Sequence, residues 1–368
     1  MFRECLLGEV LTLKRGYDLP SQNRNDGSIP IVSSSGITGT HSDAKVKGPG
    51  VVTGRYGTIG EVHFIDTDFW PLNTTLYVQD FKGNDPRFVA YFLRTLNFAS
   101  RSAAAAVPGV NRNDLHRIPV RCPTPSLQRR IAATLSAYDD LIENNTRRLA
   151  ILEEMARRIY EEWFVRFRFP GHEHTRMVDS DLGPVPEGWD VVRLDDVLVL
   201  QRGFDLPKQD RTDGPFPIIS ATGGSATHHE CRVKGPGVVT GRSGSLGTVT
   251  YVESDFWPLN TTLWIKKFVV GSPLFSFYLL NTIDLAGFNS GAAVPTLNRN
   301  DLHGLPVLRP TPDVLAQFDE VAPPMMKLKR RLELMSENLR TTRDLLLPKL
   351  ISGELDVSDL PEPQATAA

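Results

Sequence analysis

Two stretches of the chain carry short runs of alternating apolar residues, separated by clusters of Gly, Pro and Asn. GVVTGR, GEVHFI and TTLYVQDF form the first set, and GVVTGR, GTVTYV and TTLWIKKF form the second. Alternation rich in β-branched and aromatic residues is typical of strands, and Gly, Pro and Asn are typical of turns. PRFVAYFLRTLN and PLFSFYLLNTID then predict a short helix in each stretch. We therefore expect two small mixed α/β domains, each built on a curled sheet.

A second pattern, with apolar residues alternately three and four positions apart, follows each of these stretches. The first seam ends at Pro170-Gly171 and consists of Ile131, Leu135, Tyr138, Ile142, Asn145, Leu149, Leu152, Ala156, Ile159 and Trp163. The second starts just after Pro323-Pro324, prolines expected to start or kink the helix, and consists of Met325, Leu328, Leu332, Met335, Leu339, Thr342 and Leu346. This heptad spacing predicts two long helices that pair as an antiparallel coiled coil, with packing of each helix on its own domain as the alternative.

An internal repeat relates the two strand-rich stretches. KGPGVVTGR, DFWPLNTT, VPGVNRNDLH and RGYDLP each return 187 residues later, the last two as VPTLNRNDLH and RGFDLP. A single offset without net insertion indicates a domain duplication. We predict an α+β fold with two duplicated mixed α/β domains separated by the two helices. The expected order is domain 1 at 1–125, first long helix at 126–170, linker plus domain 2 at 171–312, second long helix at 313–355 and flexible tail at 356–368.

Composition limits the class of protein only weakly. The 368 residues include 41 Lys and Arg against 43 Asp and Glu, so any nucleic-acid surface has to be local. Three cysteines, none in a CxxC pair, fit a reducing cytoplasm without structural zinc or disulfides. The N-terminus has no signal-peptide pattern, and no stretch approaches 18 uncharged apolar residues. These features predict a soluble, cytoplasmic protein.

Four segments resemble the specificity (S) subunits of type I restriction-modification systems, and the resemblance covers nearly the whole chain. GPVPEGWDVVRLDDV resembles the entry to a target recognition domain, and PTPSLQRRIAATLSAYDDLIENN resembles the first helical region of that family. EEWFVRFRF and RDLLLPKLISGEL resemble the ends of the two helical regions. The resemblance implies two DNA-reading target recognition domains held apart by an antiparallel helical pair, with methyltransferase (modification) and restriction/translocase subunits as partners. The first domain departs from the pattern because it starts at MFRECLLGEV without a PEGW segment.

The sequence favours binding over catalysis. A DNA amino-methyltransferase needs a glycine-rich cofactor turn and an NPPY-like loop for the flipped adenine, and neither string is present. KGPGVVTGR lacks the spacing and the lysine of a phosphate-binding loop, which leaves a turn with a strand. His172-Glu173-His174 and His228-His229 lack the further ligands of a metal site. We therefore expect no cofactor, no metal site and no catalytic residue.

Residues suited to contact DNA follow the strands of both domains. Small hydroxyl residues with glycine allow close approach to bases and phosphates, and an arginine on a glycine-rich turn can bond guanine or phosphate. In the first domain the candidates are Ser33, Ser34, Ser35, Gly36, Ile37, Thr38, Lys47, Arg55, Tyr56, Thr58, Asn73, Arg101, Asn111 and Arg112. In the second they are Ser220, Ala221, Thr222, Gly223, Ser225, Lys234, Arg242, Ser243, Ser245, Asn260, Asn298 and Arg299. For the asparagines, turn formation and helix capping are the alternative.

Differences between the copies are expected to determine which bases each domain recognises, because identical side chains at equivalent positions recognise the same chemical groups on DNA. The differing pairs are Tyr56 with Ser243, Ile37 with Gly224, Thr38 with Ser225 and Arg101 with Phe288. The shared pairs Lys47 and Lys234, Arg55 and Arg242, and Arg112 and Arg299 are expected to contact the DNA backbone.

The function predicted from these features is that of a non-catalytic subunit that reads a bipartite double-stranded DNA target, with one half-site per domain. Its expected partners are two methyltransferase subunits and restriction/translocase subunits, with no membrane. Asn145 is expected to set the register of the helix pair, with chance burial of a polar residue as the alternative. Two other functions remain open: a partner-free architectural or regulatory DNA-binding protein, and a self-sufficient modification enzyme. Co-purification of a larger methyltransferase subunit, or cofactor binding by the lone chain, distinguishes them.

Overall fold

The computed structural model describes residues 2–96, 98, 109–289 and 295–361, which form two compact units. Unit 1 combines Met1–Thr146 with Leu334–Ala368, and unit 2 is Arg147–Glu333. Each unit contains one mixed α/β domain and one part of each of two long helices. The predicted α+β class, with a duplicated domain and two long helices, is confirmed.

The first domain begins and ends in one small antiparallel sheet. Its strands are β1 (Phe2–Leu6), β2 (Thr12–Arg15), β3 (Ile29–Ser33), β4 (Gly36–His41), β5 (Gly50–Gly54), β6 (Val62–Ile65), β7 (Trp70–Pro71), β8 (Thr75–Asp80) and β9 (Pro119–Pro123). Its helices are α1 (Leu7–Val10), α2 (Pro86–Thr95) and α3 (Arg112–His116), followed by the long α4 (Pro125–Tyr160). Strand β1 pairs with β9, so the chain leaves the domain beside the point where it entered.

Two sheets form the body of the first domain. One has the strand order β2-β8-β5-β6 and is antiparallel, and the other has the order β4-β3-β7. Strands β3 and β4 form a tight antiparallel hairpin, while β7 pairs with β3 in parallel. Helix α2 starts at the N-cap Asp85, whose carboxylate accepts a hydrogen bond from the backbone N–H of Phe88. It covers the sheet with Phe88, Phe92 and Leu93, which are at most 2% exposed.

The second domain has the same topology. Two short strands, β10 (Met177–Val178) and β11 (Val185–Pro186), pair before the domain begins. The domain consists of β12 (Asp190–Arg193), β13 (Leu198–Arg202), β14 (Phe216–Ser220), β15 (Gly223–His228), β16 (Gly237–Gly241), β17 (Val249–Val252), β18 (Trp257–Pro258), β19 (Thr262–Phe268), α5 (Pro273–Thr282), α6 (Arg299–His303) and β20 (Pro306–Arg309), and α7 (Pro312–Ser352) follows. Its sheets are β13-β19-β16-β17 and β15-β14-β18.

The long helices complete the main core of each unit. In unit 1, Ile131 and Leu135 of α4 and Leu350 of α7 lie in the same apolar cluster as α2. In unit 2, Tyr160 of α4 and Phe318 of α7 pack among the aromatic side chains of α5. Burial of such large side chains stabilises a helix that is marginal in isolation.

Contacts between α4 and α7 are antiparallel within each unit. In unit 1, Asp139 faces Arg343, with 2.5 Å between Oδ1 and Nη1, and the Asn145 amide donates to the Ser336 hydroxyl at 3.2 Å. In unit 2, Glu153 forms an ion pair with Lys329 at 3.4 Å. Every residue of the seam predicted for α4 is buried or half-buried. The α-helix ends at Tyr160 and continues as a π-helical turn over Glu161–Val165.

Pro323 and Pro324 do not start the second helix, so the first of the two expectations for these prolines, start or kink, is wrong. Helix α7 begins at Pro312 and passes through Pro323 and Pro324 without ending, because Phe318, Ala322 and Met326 bury the turns on both sides in the core of unit 2.

The predicted seam of this helix is also one residue off at alternate positions. Leu328 and Met335 are 39% and 53% exposed and Thr342 is exposed, whereas the facing positions are Lys329, Ser336 and Arg343. The prediction placed apolar residues at nearly every position of the seam. The observed interface of α7 instead contains polar residues that have partners on α4.

No helix in residues 2–96, 98, 109–289 or 295–361 is long and apolar enough to cross a membrane.

Candidate nucleic-acid interface

The β3–β4 hairpin places the first group of candidate residues. The Ser33 hydroxyl donates to the carbonyl of Gly36 at 3.2 Å and lies 3.0 Å from the Ser35 hydroxyl. Ser34 is half-buried, while Ser35 is exposed. Gly36 has a φ of 102°, a left-handed conformation that favours glycine and closes the turn. Ile37, 62% exposed, and Thr38 follow on the outer part of β4.

The second copy builds the same turn from different residues. The Ser220 hydroxyl donates to the carbonyl of Gly223 at 2.9 Å and lies 3.0 Å from the Thr222 hydroxyl. Ala221 is buried and Thr222 is exposed. Ser225 lies on β15, but its side chain is outside the described part of the structure. The hydroxyl pattern therefore preorganises both loops, and the side chains at their tips differ.

The glycine-rich turn after β5 lies against this hairpin. A Cβ at Gly54 would lie 1.8 Å from the carbonyl oxygen of Thr58 and 3.2 Å from Cβ of Ser34, so only glycine fits. A Cβ at Gly57 would approach the Ser34 hydroxyl to 3.1 Å. Thr58 is exposed at the turn, as is its counterpart Ser245. The two predicted loops of the first domain therefore form one continuous surface.

Backbone hydrogen bonds attach two further loops to the same surface. The N–H groups of Arg55 and Tyr56 both donate to the carbonyl of Thr74, at 2.9 and 3.1 Å, and the N–H of Val110 donates to the carbonyl of Arg55 at 3.1 Å. In the second copy the N–H groups of Arg242 and Ser243 donate in the same way to the carbonyl of Thr261. Arg55, Tyr56, Arg242 and Ser243 are half-buried. Each domain thus gathers four loop segments around one arginine.

The candidate asparagines are engaged within the domain. The Asn73 amide donates to Asp18, and Asn260 donates to Asp205 in the same manner. The Oδ1 atoms of Asn111 and Asn298 each accept an N–H two residues later at 3.0 Å, and both residues are helix N-caps. The side-chain oxygens of Asn111 and Asn298 therefore cap helices, which is the alternative role given above for the asparagines. Arg112 and Arg299 follow as exposed first residues of α3 and α6.

The candidate lysines Lys47 and Lys234 precede β5 and β16, whereas Arg55 and Arg242 follow these strands at the opposite end. Lys47 and Arg55 flank β5, and its five residues separate them by roughly 16 Å. Lys234 is exposed and forms an ion pair with Asp255 at 2.6 Å, which raises the pKa of the lysine and lowers that of the aspartate. Arg101 lies outside the described residues, and its counterpart Phe288 packs on the core of unit 2.

Two pairs of charged residues at this surface were missed from the sequence. Arg15 lies 3.6 Å from Asp18, which also accepts from Asn73, and Arg202 lies 3.7 Å from Asp205 in the second copy. The signal was present in the repeated RGYDLP and RGFDLP segments. They place an arginine and a carboxylate beside the loops in both domains.

His63 is a further residue missed at this surface. Its Nε2 lies 3.4 Å from the carbonyl of Ser34, and a Cβ at Gly36 would meet its ring at 3.4 Å. The equivalent position of the second copy is Thr250. A ring thus supports the serine turn of the first domain and a small hydroxyl residue occupies its place in the second.

One group in the described chain has the spacing of metal ligands: His228, His229 and Glu230, whose donor atoms lie within 4.8 Å. His228 is 3% exposed, and its Nδ1 accepts the backbone N–H of Thr212 at 3.3 Å. Its ring also packs edge-on against Trp257. The side chain therefore has a structural role in the domain, and we assign no metal to this group.

Comparison with known proteins places this geometry in a family. The chain is 25% identical over 285 residues to the type I restriction enzyme MjaIX specificity subunit of Methanocaldococcus jannaschii, covering 70% of the chain and 66% of that protein. It is 27% identical over 116 residues to the MjaVIII specificity subunit of the same organism, covering 32% and 27%. The matches thus span less than two thirds of these relatives' lengths.

The fold agrees with a solved structure, the type I restriction-modification system S subunit from M. genitalium. The TM-score is 0.71 at 16% identity, and the match covers 95% of this chain and 96% of that one. The type I restriction modification DNA specificity domain matches residues 2–154 and again residues 186–313, one match for each copy of the duplication. With most of its length covered by these two matches, the chain belongs to the type I restriction modification DNA specificity domain family.

Proposed function

We propose that the chain is the sequence-specific DNA-binding specificity subunit of a type I restriction-modification complex. In this proposal each domain reads one half-site of a bipartite double-stranded target. The chain recruits two methyltransferase subunits and the restriction/translocase subunits, and these partners perform the chemistry.

One observation carries the proposal: both domains gather equivalent loops around an arginine without an acidic partner. Within residues 2–96, 98, 109–289 and 295–361, the guanidinium groups of Arg55 and Arg242 form no ion pair and no hydrogen bond. The nearby Arg15 and Arg202 face carboxylates. Arginine is the side chain that most often reads guanine and also binds phosphate. Two such surfaces in one chain suit a target with two parts.

The net charge of the chain supports the proposal that DNA binding is shared with partner subunits. The net charge of −2 gives the chain no general attraction for DNA, so the isolated chain should bind DNA modestly through few phosphate contacts, and its affinity should fall only gradually with salt. Basic partner subunits would add phosphate contacts and raise affinity. Chemistry on a base requires the base to leave the stack and enter a pocket beside a cofactor, and we assign both steps to the methyltransferase subunits.

The test is methyl transfer with and without a partner. The full chain and a co-purifying methyltransferase subunit are assayed separately and together, and methylated adenines are then mapped in a host carrying the complete system. We expect methylation only from the combination, at one adenine in each half of an interrupted target. The double variant Arg55→Ala with Arg242→Ala should reduce this methylation without preventing assembly, whereas Arg176→Ala, on an exposed arginine remote from these loops in sequence, should leave it unchanged.

Three results would contradict the proposal. Methyl transfer by the lone chain would assign the chemistry to this protein, and failure of any methyltransferase subunit to co-purify would favour a partner-free DNA-binding protein. Methylation at targets without two separated parts would contradict one half-site per domain.

A further inference from the structure

We propose that Tyr56 is a positioning residue that orients the Arg55 guanidinium towards a guanine of the first half-site. This inference rests on the proposed function, because it needs a DNA target. It differs from the expectation that Tyr56 itself discriminates bases, and also from the expectation that Arg55 and Arg242 make the same backbone contact.

The Tyr56 ring lies between the arginine and a glycine. The guanidinium carbon of Arg55 is 4.5 Å from the centre of the ring, a distance typical of cation–π contact. Tyr56 also forms an isolated antiparallel bridge with Gly109. A Cβ at Gly109 would lie 2.2 Å from Cε1 of the tyrosine, so a larger residue at this position is excluded while the ring is there. The ring is therefore held on the backbone of residue 109 and supports the arginine.

The second copy has the opposite combination of side-chain sizes at these two positions. Ser243 and Thr296 are the equivalents of Tyr56 and Gly109, and they form the same isolated bridge. A large residue facing glycine in one domain is thus replaced by a small residue facing threonine in the other. In the described part of the second domain, Arg242 has no aromatic ring against its guanidinium. Two arginines that are identical in sequence consequently have different supports.

Chemistry indicates what the supported arginine reads. A guanidinium held against a ring loses rotational freedom, while the N–H donors at its edge still point outwards. The described structure provides no acceptor for those donors, whereas Arg15 has Asp18 within 3.6 Å. A fixed plane with two parallel donors matches O6 and N7 of guanine, which are coplanar acceptors in the major groove. A single phosphate demands no such fixed plane, and an unsupported arginine such as Arg242 suffices for it.

The experiment selects bound sequences from a pool of duplexes with randomised bases, using the full-length chain. The variants are Arg55→Ala, Tyr56→Ser, Tyr56→Phe, the double variant Arg55→Ala with Tyr56→Ser, and Arg242→Ala. We expect Arg55→Ala to relax one guanine in one half-site by about tenfold. Tyr56→Ser should relax that same guanine by about two- to fivefold, the effect of an exposed cation–π contact. Tyr56→Phe keeps the ring and should select the wild-type sequence.

Two comparisons show whether the tyrosine acts through the arginine. The double variant should be no more relaxed than Arg55→Ala alone, and replacing the selected guanine by 7-deazaguanine should weaken wild-type binding while changing Arg55→Ala little. Arg242→Ala should affect only the other half-site. Additive effects of the two substitutions, or a Tyr56→Phe variant that behaves like Tyr56→Ser, would make Tyr56 a direct reader and overturn the inference. Loss of affinity with methylphosphonate substitution but not with 7-deazaguanine would assign Arg55 to a phosphate and also overturn it.

A folding control uses the size exchange between the copies. Gly109→Thr alone should lower the melting temperature because it clashes with the ring, and Tyr56→Ser in the same chain should restore it. Restored folding with relaxed selection at the same guanine supports the inference, since the domain is then intact. Restored folding with unchanged selection contradicts it. If the wild-type chain selects no sequence even in complex with its methyltransferase subunit, the proposed function fails instead.

Discussion

At the scale of single residues, polar side chains determine how the two long helices face each other. Arg343 and Asp139 are 22% and 31% exposed, and Asp139 also accepts the hydroxyl of Tyr91 at 2.5 Å. Burial and this hydrogen bond raise the pKa of the tyrosine. Asn145 and Ser336, 5% and 1% exposed, occupy the next facing position. These pairs replace the apolar contacts that heptad spacing alone suggested.

We predict that Arg343→Ala lowers the free energy of unfolding, while Thr342→Ala does not. Removing the guanidinium leaves the partly buried Asp139 carboxylate with only the more distant Arg94, at 3.9 Å, as a cation, which costs about 1–3 kcal/mol. Thr342 is exposed, and a surface substitution of this kind changes stability by less than about 0.5 kcal/mol. Chemical denaturation of the two variants measures the difference. Equal losses would mean that the seam passes through Thr342 after all.

A second pair of adjacent residues tests the buried amide. Asn145→Ala should cost about 1–3 kcal/mol, because it creates a cavity and removes the donor of a buried hydrogen bond to Ser336. The matched control is Asn144→Ala, at an exposed position one residue away on the same helix. Denaturant titration gives both values. Alanine favours helices more than asparagine does, so the control should lose no stability, and a control variant as unstable as Asn145→Ala would show that the interhelical contact does not cause the loss.

At the scale of elements, one histidine in each domain ties a short helix to a strand. His116 of α3 accepts the N–H of Leu13 on β2 at 2.9 Å, and His303 of α6 accepts the N–H of Leu200 on β13 at 3.0 Å. Burial lowers the pKa of both side chains below the usual 6.5. Lys82 and Arg112 lower the pKa of His116 further, whereas for His303 the opposing effect of Asp195 is countered by Arg299 and Arg193. In both histidines Nε2 must carry no proton, because it accepts this hydrogen bond.

The domains should therefore lose stability as the pH falls below about 6.5. In that range the unfolded chain binds protons at these histidines before the folded chain does, so the stability present above pH 6.5 decreases. Glu253 and Asp319, whose pKa values burial raises, act in the opposite direction. Urea midpoints at pH 7.5 and 5.5 measure the net effect.

The double variant His116→Gln with His303→Gln should flatten this pH dependence. The control His174→Gln, at an exposed position, should preserve it. A double variant as pH-sensitive as the wild type would refute the assignment.

At the scale of the whole molecule, the duplication predicts that one domain can replace the other. Replacing Thr12–Val120 by Val199–Val307 should give a chain with two identical readers and hence a target with two identical, inverted half-sites. One buried contact would be lost in this chimera. Gln128, fully buried on α4, donates to Asn84 at 2.7 Å, and the equivalents of Asn84 and Gln128 in the second copy are Gly271 and Leu315.

We therefore predict that the chimera needs Gln128→Leu for full stability. Without it, a buried amide loses its Asn84 partner, at a cost of about 1–3 kcal/mol. Thermal denaturation compares the chimera with and without this substitution, and mapping of methylated adenines reads the target of the stable one. An interrupted palindrome is the expected target. Two different half-sites would show that residues outside Thr12–Val120 also read bases.

Much of the architecture could be predicted from sequence because local patterns encode it. Alternating strands and glycine-rich turns predicted both domains, and the constant offset of 187 residues predicted the duplication. The residues of the seam predicted for α4 are all buried or half-buried, because nearly all of them are apolar. The loops that carry Ser33, Arg55 and Asn111 were identifiable as repeated segments, since both copies retain them.

Tertiary structure alone decided the pairings that depend on residues far apart in sequence. Lys329, Ser336 and Arg343 belong to the helix interface because Glu153, Asn145 and Asp139 face them, and no pattern within α7 contains that information. Pro323 and Pro324 lie within a continuous helix because the core of unit 2 holds the turns on both sides. The different surroundings of Arg55 and Arg242 arise from Tyr56 and Ser243, and the distant residues 109 and 296 are the ones that face these two positions. Sequence determined which loops the two domains share, and three-dimensional contact between distant segments determined how each loop is held.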